Sequence, residues 1–284
     1  NAGGAIYNKS NITNLTADFK NNMSKTSYGG AIYNSGTINN ISGDFESNSA
    51  KTFGGAISNQ GTIANVTGNF TNNSAGRGGA INNEGSITNI AAEFISNSVT
   101  GSGGAIYNSG SIGTSFDNGL INSTFTGNSA NEGGAIYNTS DGDIYIKNSI
   151  FTDNIAQIVG GAIFNNNKGS IDIKGTSFKN NIAKQKGGAI YNESIQDSVN
   201  TIKIEDSTFE NNRAQSDGGA IYNASELQLS GNNIFTGNYE QFNGTSGFLN
   251  DIHNDGNVSV VDGTTVIGGG ISGDGTLFLL GDSI

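Results

Sequence analysis

The 284-residue chain has no cysteine, no proline and no tryptophan, and only one methionine and one histidine. Without cysteine there is neither a disulfide framework nor a thiolate metal site. Lys and Arg together number 13 against 24 Asp and Glu, for a formal net charge of −11. A nucleic-acid surface gathers basic residues to displace phosphate counterions; here they are scattered, which excludes nucleic acid as a partner. No apolar run is long enough to span a bilayer, and no secretory leader is visible in these residues. The sequence opens inside a repeat, at Asn1-Ala2-Gly3-Gly4, so any targeting or anchoring segment is expected to have been removed. Contact with a membrane is expected only through that missing anchor.

What the chain has in abundance is Gly and Asn, 44 of each, while hydrophobic residues make up only 34%. Such a composition can mean disorder, but disordered segments are rich in Pro, Lys and Glu. Evenly spaced Ile and Phe point instead to a thin core repeated many times.

The tetrapeptide Gly-Gly-Ala-Ile begins at Gly3, Gly29, Gly54, Gly78, Gly103, Gly133, Gly160, Gly187 and Gly218, in steps of 24 to 31 residues. After each copy comes a Phe-x-x-Asn element, at Phe19, Phe45, Phe70, Phe94, Phe125, Phe151, Phe178, Phe209 and Phe235. In the second copy three β-like runs, Gly30–Asn34, Thr37–Ile41 and Asp44–Glu46, are separated by the turn residues Ser35-Gly36 and Ser42-Gly43, and Asn48-Ser49 closes the unit. No helical stripe is present. Three short strands in about 25 residues make one turn of a coil, so the fold class is all-β: a right-handed parallel β-helix, or solenoid. At one strand spacing per coil, nine repeats span roughly 43 Å.

Parity along Ala-Ile-Tyr-Asn places Ile and Asn on one face and the aromatic position on the other. The Ile and Phe columns are expected inside, with Asn8, Asn34, Asn59, Asn83, Asn108, Asn138, Asn165, Asn192 and Asn223 stacked as an amide ladder. The aromatic slot reads Tyr7, Tyr33, Ser58, Asn82, Tyr107, Tyr137, Phe164, Tyr191 and Tyr222. A slot that accepts Ser and Asn reads as solvent-facing.

Near residue 115 the pattern changes. Earlier copies carry an apolar residue four before the Phe (Leu15, Ile41, Val66, Ile90), whereas later ones carry Ile-x-Ile pairs (Ile144/Ile146, Ile171/Ile173, Ile202/Ile204). This reads as an altered corner within one solenoid. Residues 1–238 form the nine-repeat β-helix. Residues 239–284 are a divergent continuation, in which Asp251-Ile252-His253-Asn254 is a worn tenth copy with His253 in the aromatic slot.

Paired Gly-Gly-Ala-Ile and Phe-x-x-Asn elements over residues 1–238 resemble the chlamydial polymorphic membrane protein repeat, found in autotransporter passenger domains. The resemblance implies a secreted, surface-displayed β-helix at the bacterial outer membrane, adhering to a host or bacterial cell-surface protein or glycan. The outer-membrane barrel and the cysteines common in that family are lacking here, which leaves secretion route and organism open.

The candidate contact surface is an aromatic stripe, Tyr107, Tyr137, Phe164, Tyr191 and Tyr222, whose flat rings could dock a sugar or protein; the competing reading is inter-rung stacking that only stabilises the sheet. Insertions around Thr114–Leu120 and Ser194–Asn200 are candidate binding loops. Asp18, Asp44, Asn69 and Glu93 stack at rung spacing, but no calcium motif accompanies them. No cofactor and no metal site is expected. Catalysis by a β-helix needs carboxylates gathered in a groove; Asp141, Asp143 and Asp153 come nearest and read as turn and surface residues, so the chain is expected not to be an enzyme. The alternatives are a structural spacer or fibre unit associating end to end and, more remotely, a polysaccharide-active enzyme.

Overall fold

The computed structural model describes residues 3–25, 27–139, 142–166, 168–194, 199–241 and 247–280. Every regular element among them is a β-strand. The strands form a parallel β-solenoid in which each coil lies one strand spacing from the next. In the second coil the strands are Ile32–Asn34, Thr37–Ser42, Phe45–Glu46 and Ser49–Ala50. Each pairs in parallel with its equivalent one coil on: Ile32 with Ile57, Ile38 with Ile63, Ile41 with Val66, Phe45 with Phe70, Ser49 with Ser74.

Three sheets result. Among the described residues the first holds eleven strands, ten of the Ile-x-Asn type and the last Ile271–Ser272, and the third holds ten. The second contains both the Ile run and the Phe run, which merge into single strands at Thr62–Thr71 and Ser86–Ile95. The third sheet, made mostly of two-residue strands such as Ser49–Ala50 and longer only at Ser129–Glu132 and Ile155–Val159, occupies what reads in the sequence as a turn. Two small residues carry no alternation of polarity, so the pattern gives no sign of a strand there.

The paired glycines have different reasons. Gly29 has φ +56°, a left-handed conformation that costs any residue with a Cβ. Gly30 has no such φ, but a Cβ placed on it would lie 1.9 Å from the Gly55 carbonyl oxygen of the next coil. The turn therefore requires the first glycine, and coil-to-coil contact requires the second.

The core is a set of columns. Phe45, Phe70, Phe94, Phe125, Phe151, Phe178, Phe209 and Phe235 are fully buried, with successive rings stacked 4.5 to 5.0 Å apart. That spacing matches the separation of parallel strands, so the backbone ladder and the ring stack share one period. The Ile of each Gly-Gly-Ala-Ile from Ile32 to Ile221 is likewise buried, as is the Ala before it.

The change near residue 115 leaves the core continuous. Ile112 pairs with Ile87 behind it and Ile144 ahead; Leu120 pairs with Ile90 and with Ile146. The extra residues between Ile112 and Leu120 form a surface turn in which Ser115 bridges Asn118. Phe116 there meets Tyr145 edge-on at 5.9 Å. Of the second insertion, residues 195–198 lie outside the described residues.

Beyond Phe235 the ladders continue. Ile252–Asn254 pairs in parallel with Ile221–Asn223, with His253 opposite Tyr222, and Asn257–Val260 pairs with Glu226–Leu229. One antiparallel pairing, Tyr239–Glu240 with Phe248–Leu249, interrupts the third sheet.

Candidate functional site

Two amide columns run the length of the solenoid. In the first, the Asn34 Nδ2 donates to Asn59 Oδ1 at 2.8 Å, and the same bond recurs from Asn8 through Asn83, Asn108, Asn138, Asn165, Asn192 and Asn223 to Asn254. This is the ladder expected from the sequence. The second is built from the Asn of Phe-x-x-Asn. The Asn73 Nδ2 donates to Asn97 Oδ1 at 3.0 Å and to the Phe45 carbonyl at 2.8 Å, while the Asn73 backbone N–H also donates to Asn97 Oδ1. These side chains are fully buried and replace the backbone pairing that the corner interrupts. The residue before each is left-handed, for example Asn72 and Asp153 at φ +56°, which explains why only Asn, Ser, Asp or Gly stands there. The signal for this second ladder is the strict spacing of Phe-x-x-Asn, which reads equally well as an exposed turn.

The aromatic slot is where the structure corrects the sequence reading. Tyr33, Tyr137, Phe164 and Tyr222 are buried, as are Ser58 and Asn82; Tyr107 and Tyr191 are half-buried, and only Tyr7 is exposed. The slot does lie outside the main core, as parity requires, but a second layer covers it. That layer draws on the column of residues directly before each Gly-Gly, of which Tyr28, Arg77, Val159 and Lys186 meet slot residues. The Tyr28 ring lies 5.2 Å from that of Tyr33, the Arg77 guanidinium sits 5.4 Å above the Tyr107 ring, and the Lys186 ammonium lies 4.0 Å from the centre of Tyr222. Val159 packs with Tyr137 and Phe164 in a small apolar cluster of its own.

Within the slot, Tyr107 stacks on Tyr137 at 5.2 Å, Tyr191 on Tyr222 at 5.0 Å, and Tyr222 on His253 at 5.2 Å; Phe164 meets both of its neighbours edge-on. Burial pushes the Tyr137 and Tyr191 phenols up to about 12 and raises those of Tyr33, Tyr107 and Tyr222 as well. The stripe is therefore a packed seam with polar tips. Asn166 donates to the Tyr137 hydroxyl at 2.6 Å, and Tyr222 donates to Asp255.

Six of the stretches that build the two ladders and the covered slot match one known sequence family. Residues 16–35, 42–60, 91–109, 122–139, 175–193 and 206–224 match the Chlamydia polymorphic membrane protein (Chlamydia_PMP) repeat. The chain carries six Chlamydia polymorphic membrane protein repeats. No match was found among curated proteins or among solved structures. Each matched segment of this PMP-repeat chain runs from a Phe strand, through the buried Asn and the covering residue, to the next Ile-x-Asn strand. The units beginning at Phe70 and Phe151 are not among the matches, yet they make the same contacts. Phe70 stacks on Phe94 and Phe151 on Phe178, and Asn154 donates to Asn181 Oδ1 at 2.9 Å.

Open to solvent on the PMP-repeat solenoid is the outer face of the second sheet. Here a third amide column, exposed at Asn14 and Asn40 and half-buried at Asn65 and Asn89, runs backwards: Asn40 donates to Asn14, Asn65 to Asn40 and Asn89 to Asn65, at 2.8 to 2.9 Å. Beside it the Asp44 backbone N–H donates to Asp18 Oδ1, and Asn69 Nδ2 donates to Asp44 Oδ1. Glu93 joins Asp44 and Asn69 in lining one shallow cavity of about 320 Å³.

Of the three aspartates weighed for catalysis, two are among the described residues. Asp141 lies outside the described residues, Asp153 holds the left-handed turn after Ile150–Thr152, and Asp143 lies on the strand Asp143–Lys147. Asp143 instead lines a cavity of about 120 Å³ with Asp172 and Lys203. Burial raises the pKa of Asp172, and Lys203 stands 3.6 Å away.

Proposed function

We propose that this chain is a non-catalytic passenger segment displayed at a bacterial surface, where it adheres to a protein or glycan of a neighbouring cell. The repeat family, one of membrane proteins, supports surface placement. The observation that carries adhesion is the solvent-side amide column Asn14–Asn40–Asn65–Asn89, exposed at its first two members and half-buried at the others, flanked by Asp18, Asp44 and Glu93. Each Asn is held by its neighbour, so a ligand meets donors and acceptors already fixed at one coil's spacing and orders few side chains on binding. A long periodic partner, such as an extended glycan, suits such an array. The aromatic seam supports the array by making the solenoid rigid and takes no part in contact.

The test is adherence of beads coated with the chain to cultured cells, with soluble chain as competitor. Beads carrying Asn14, Asn40, Asn65 and Asn89 all changed to Ala are expected to lose most of their attachment while circular dichroism stays unchanged. Full attachment of that variant would overturn the assignment of this face, and failure of wild-type beads to attach would overturn adhesion itself.

A further inference from the structure

Two of the residues that precede a Gly-Gly lie over the slot of the following coil: Arg77 over Tyr107, Lys186 over Tyr222. One coil further the same geometry pairs Asp217 with His253, the only histidine in the chain. The strand pairing that sets Tyr222 opposite His253 is continuous with the earlier coils. Where other coils place a cation over an aromatic ring, this one therefore directs a carboxylate at an imidazole. Glu240, from the third-sheet strand Tyr239–Glu240, arrives at the same place. One potential ligand atom from each of Asp217, Glu240 and His253 lies within 4.8 Å of the other two.

We propose that Asp217, Glu240 and His253 form a binding site for one divalent transition-metal ion, with Zn²⁺ as its reference occupant. The donor set is one ring nitrogen and two carboxylates, a combination zinc accepts, whereas calcium takes oxygen ligands alone. The side chains are already held. His253 is stacked on Tyr222, and both of its ring nitrogens have partners, Nδ1 3.0 Å from Ser272 Oγ and Nε2 3.2 Å from Asp255 Oδ1, so the nitrogen that takes the ion exchanges one of these contacts for it while the other holds the ring. Ser216 donates to Asp217 Oδ2 at 2.8 Å, and the Gly218 backbone N–H donates to Glu240 Oε2 at 3.2 Å. Such outer contacts fix ligand orientation before an ion arrives. Charge favours an ion as well: Asp217, Glu240 and Asp255 face a single lysine, Lys186, whose ammonium is 3.5 Å from Asp217 Oδ2. Lys186 also donates to the Tyr222 hydroxyl at 2.9 Å, so it keeps a partner when an ion takes Asp217. The ion ties the third sheet to the first where the repeat pattern degrades.

The experiment is calorimetric titration of the whole chain with Zn²⁺, paired with thermal melts. Wild type is expected to bind one equivalent and to melt at a higher temperature with zinc, and excess Ca²⁺ is not expected to compete. His253→Tyr restores the residue type of Tyr191 and Tyr222 and so preserves the stack; it is expected to weaken zinc binding by at least about 10-fold. The isosteric Asp217→Asn is expected to do the same and supplies the comparison if His253→Tyr misfolds. Lys186→Met removes the competing ammonium and is expected to tighten binding several-fold. Absence of zinc binding by wild type at millimolar metal would overturn the site, leaving an ion-pair network. So would binding undiminished in both ligand variants.

Discussion

Phe45 and Phe70, 25 residues apart in sequence, stack with ring centroids 4.6 Å apart and planes within 2° of parallel. Both are fully buried, and each ring fills the space left by the ones above and below it. Phe70→Ala removes one ring from the column and leaves a void that the rigid coils on either side cannot close. A loss of about 3–5 kcal/mol is expected, measured by urea denaturation. Because contacts in a solenoid run only between neighbours, the transition should also broaden as the two flanking blocks lose their coupling.

Asn97 and Asn65 present the same side chain in opposite circumstances. Asn97 is buried; its Oδ1 accepts from the Asn73 backbone and side chain, and its Nδ2 donates to the Phe70 carbonyl and to Asn128. Asn97→Ala strands several of these groups without water, at about 1–3 kcal/mol for each group left unpaired. Asn65 makes its bonds at the surface, and Asn65→Ala should stay within about 0.5 kcal/mol of wild type. Equal losses from the two substitutions would show that the buried ladder is no more than a surface feature.

This contrast also marks what could be read from the sequence. The Ile and Phe columns were legible because one pair of elements recurs nine times in the same order and the residue type hardly varies. The first amide ladder followed from parity on the same strand. The slot was misread because Ser58 and Asn82 look like solvent-facing residues, and parity correctly puts them outside the main core. The layer over the slot has no common residue type, running from Tyr28 through Arg77 and Val159 to Lys186. Its only mark is position, one residue before Gly-Gly, and chemical variety at a fixed position resembles the variety of an exposed surface. The third sheet was hidden for a related reason, since Ser49–Ala50 is too short to alternate.

Burial of the slot has a consequence at high pH. The Tyr137 and Tyr191 phenols are pushed up to about 12, while in an unfolded chain they ionise near 10. Between those values the unfolded chain has released protons that the folded chain still holds. Stability therefore falls as pH rises through this interval, and the contribution is fully present below it. The denaturation midpoint should decline from about pH 10 upward, with tyrosinate absorbance from these residues appearing only as the fold is lost. Ionisation of all nine tyrosines near pH 10 in the folded protein would contradict the buried seam.

The same burial changes what a substitution across the stripe can report. If Tyr107, Tyr137, Tyr191 and Tyr222 were platforms for a ligand, changing all four to Ser would abolish adherence and leave stability nearly untouched. In the structure Ser58 stands in the slot with its Oγ buried and without a hydrogen-bond partner. A serine at 137 would meet the same fate, and Asn166 and Val159 would lose the ring they now contact. Tyr137→Ser alone is expected to cost about 2–4 kcal/mol, and the fourfold variant to melt far below wild type. At a temperature where it remains folded, its attachment to cells should equal that of wild type. Loss of attachment without loss of melting temperature would return the contact surface to the aromatic stripe.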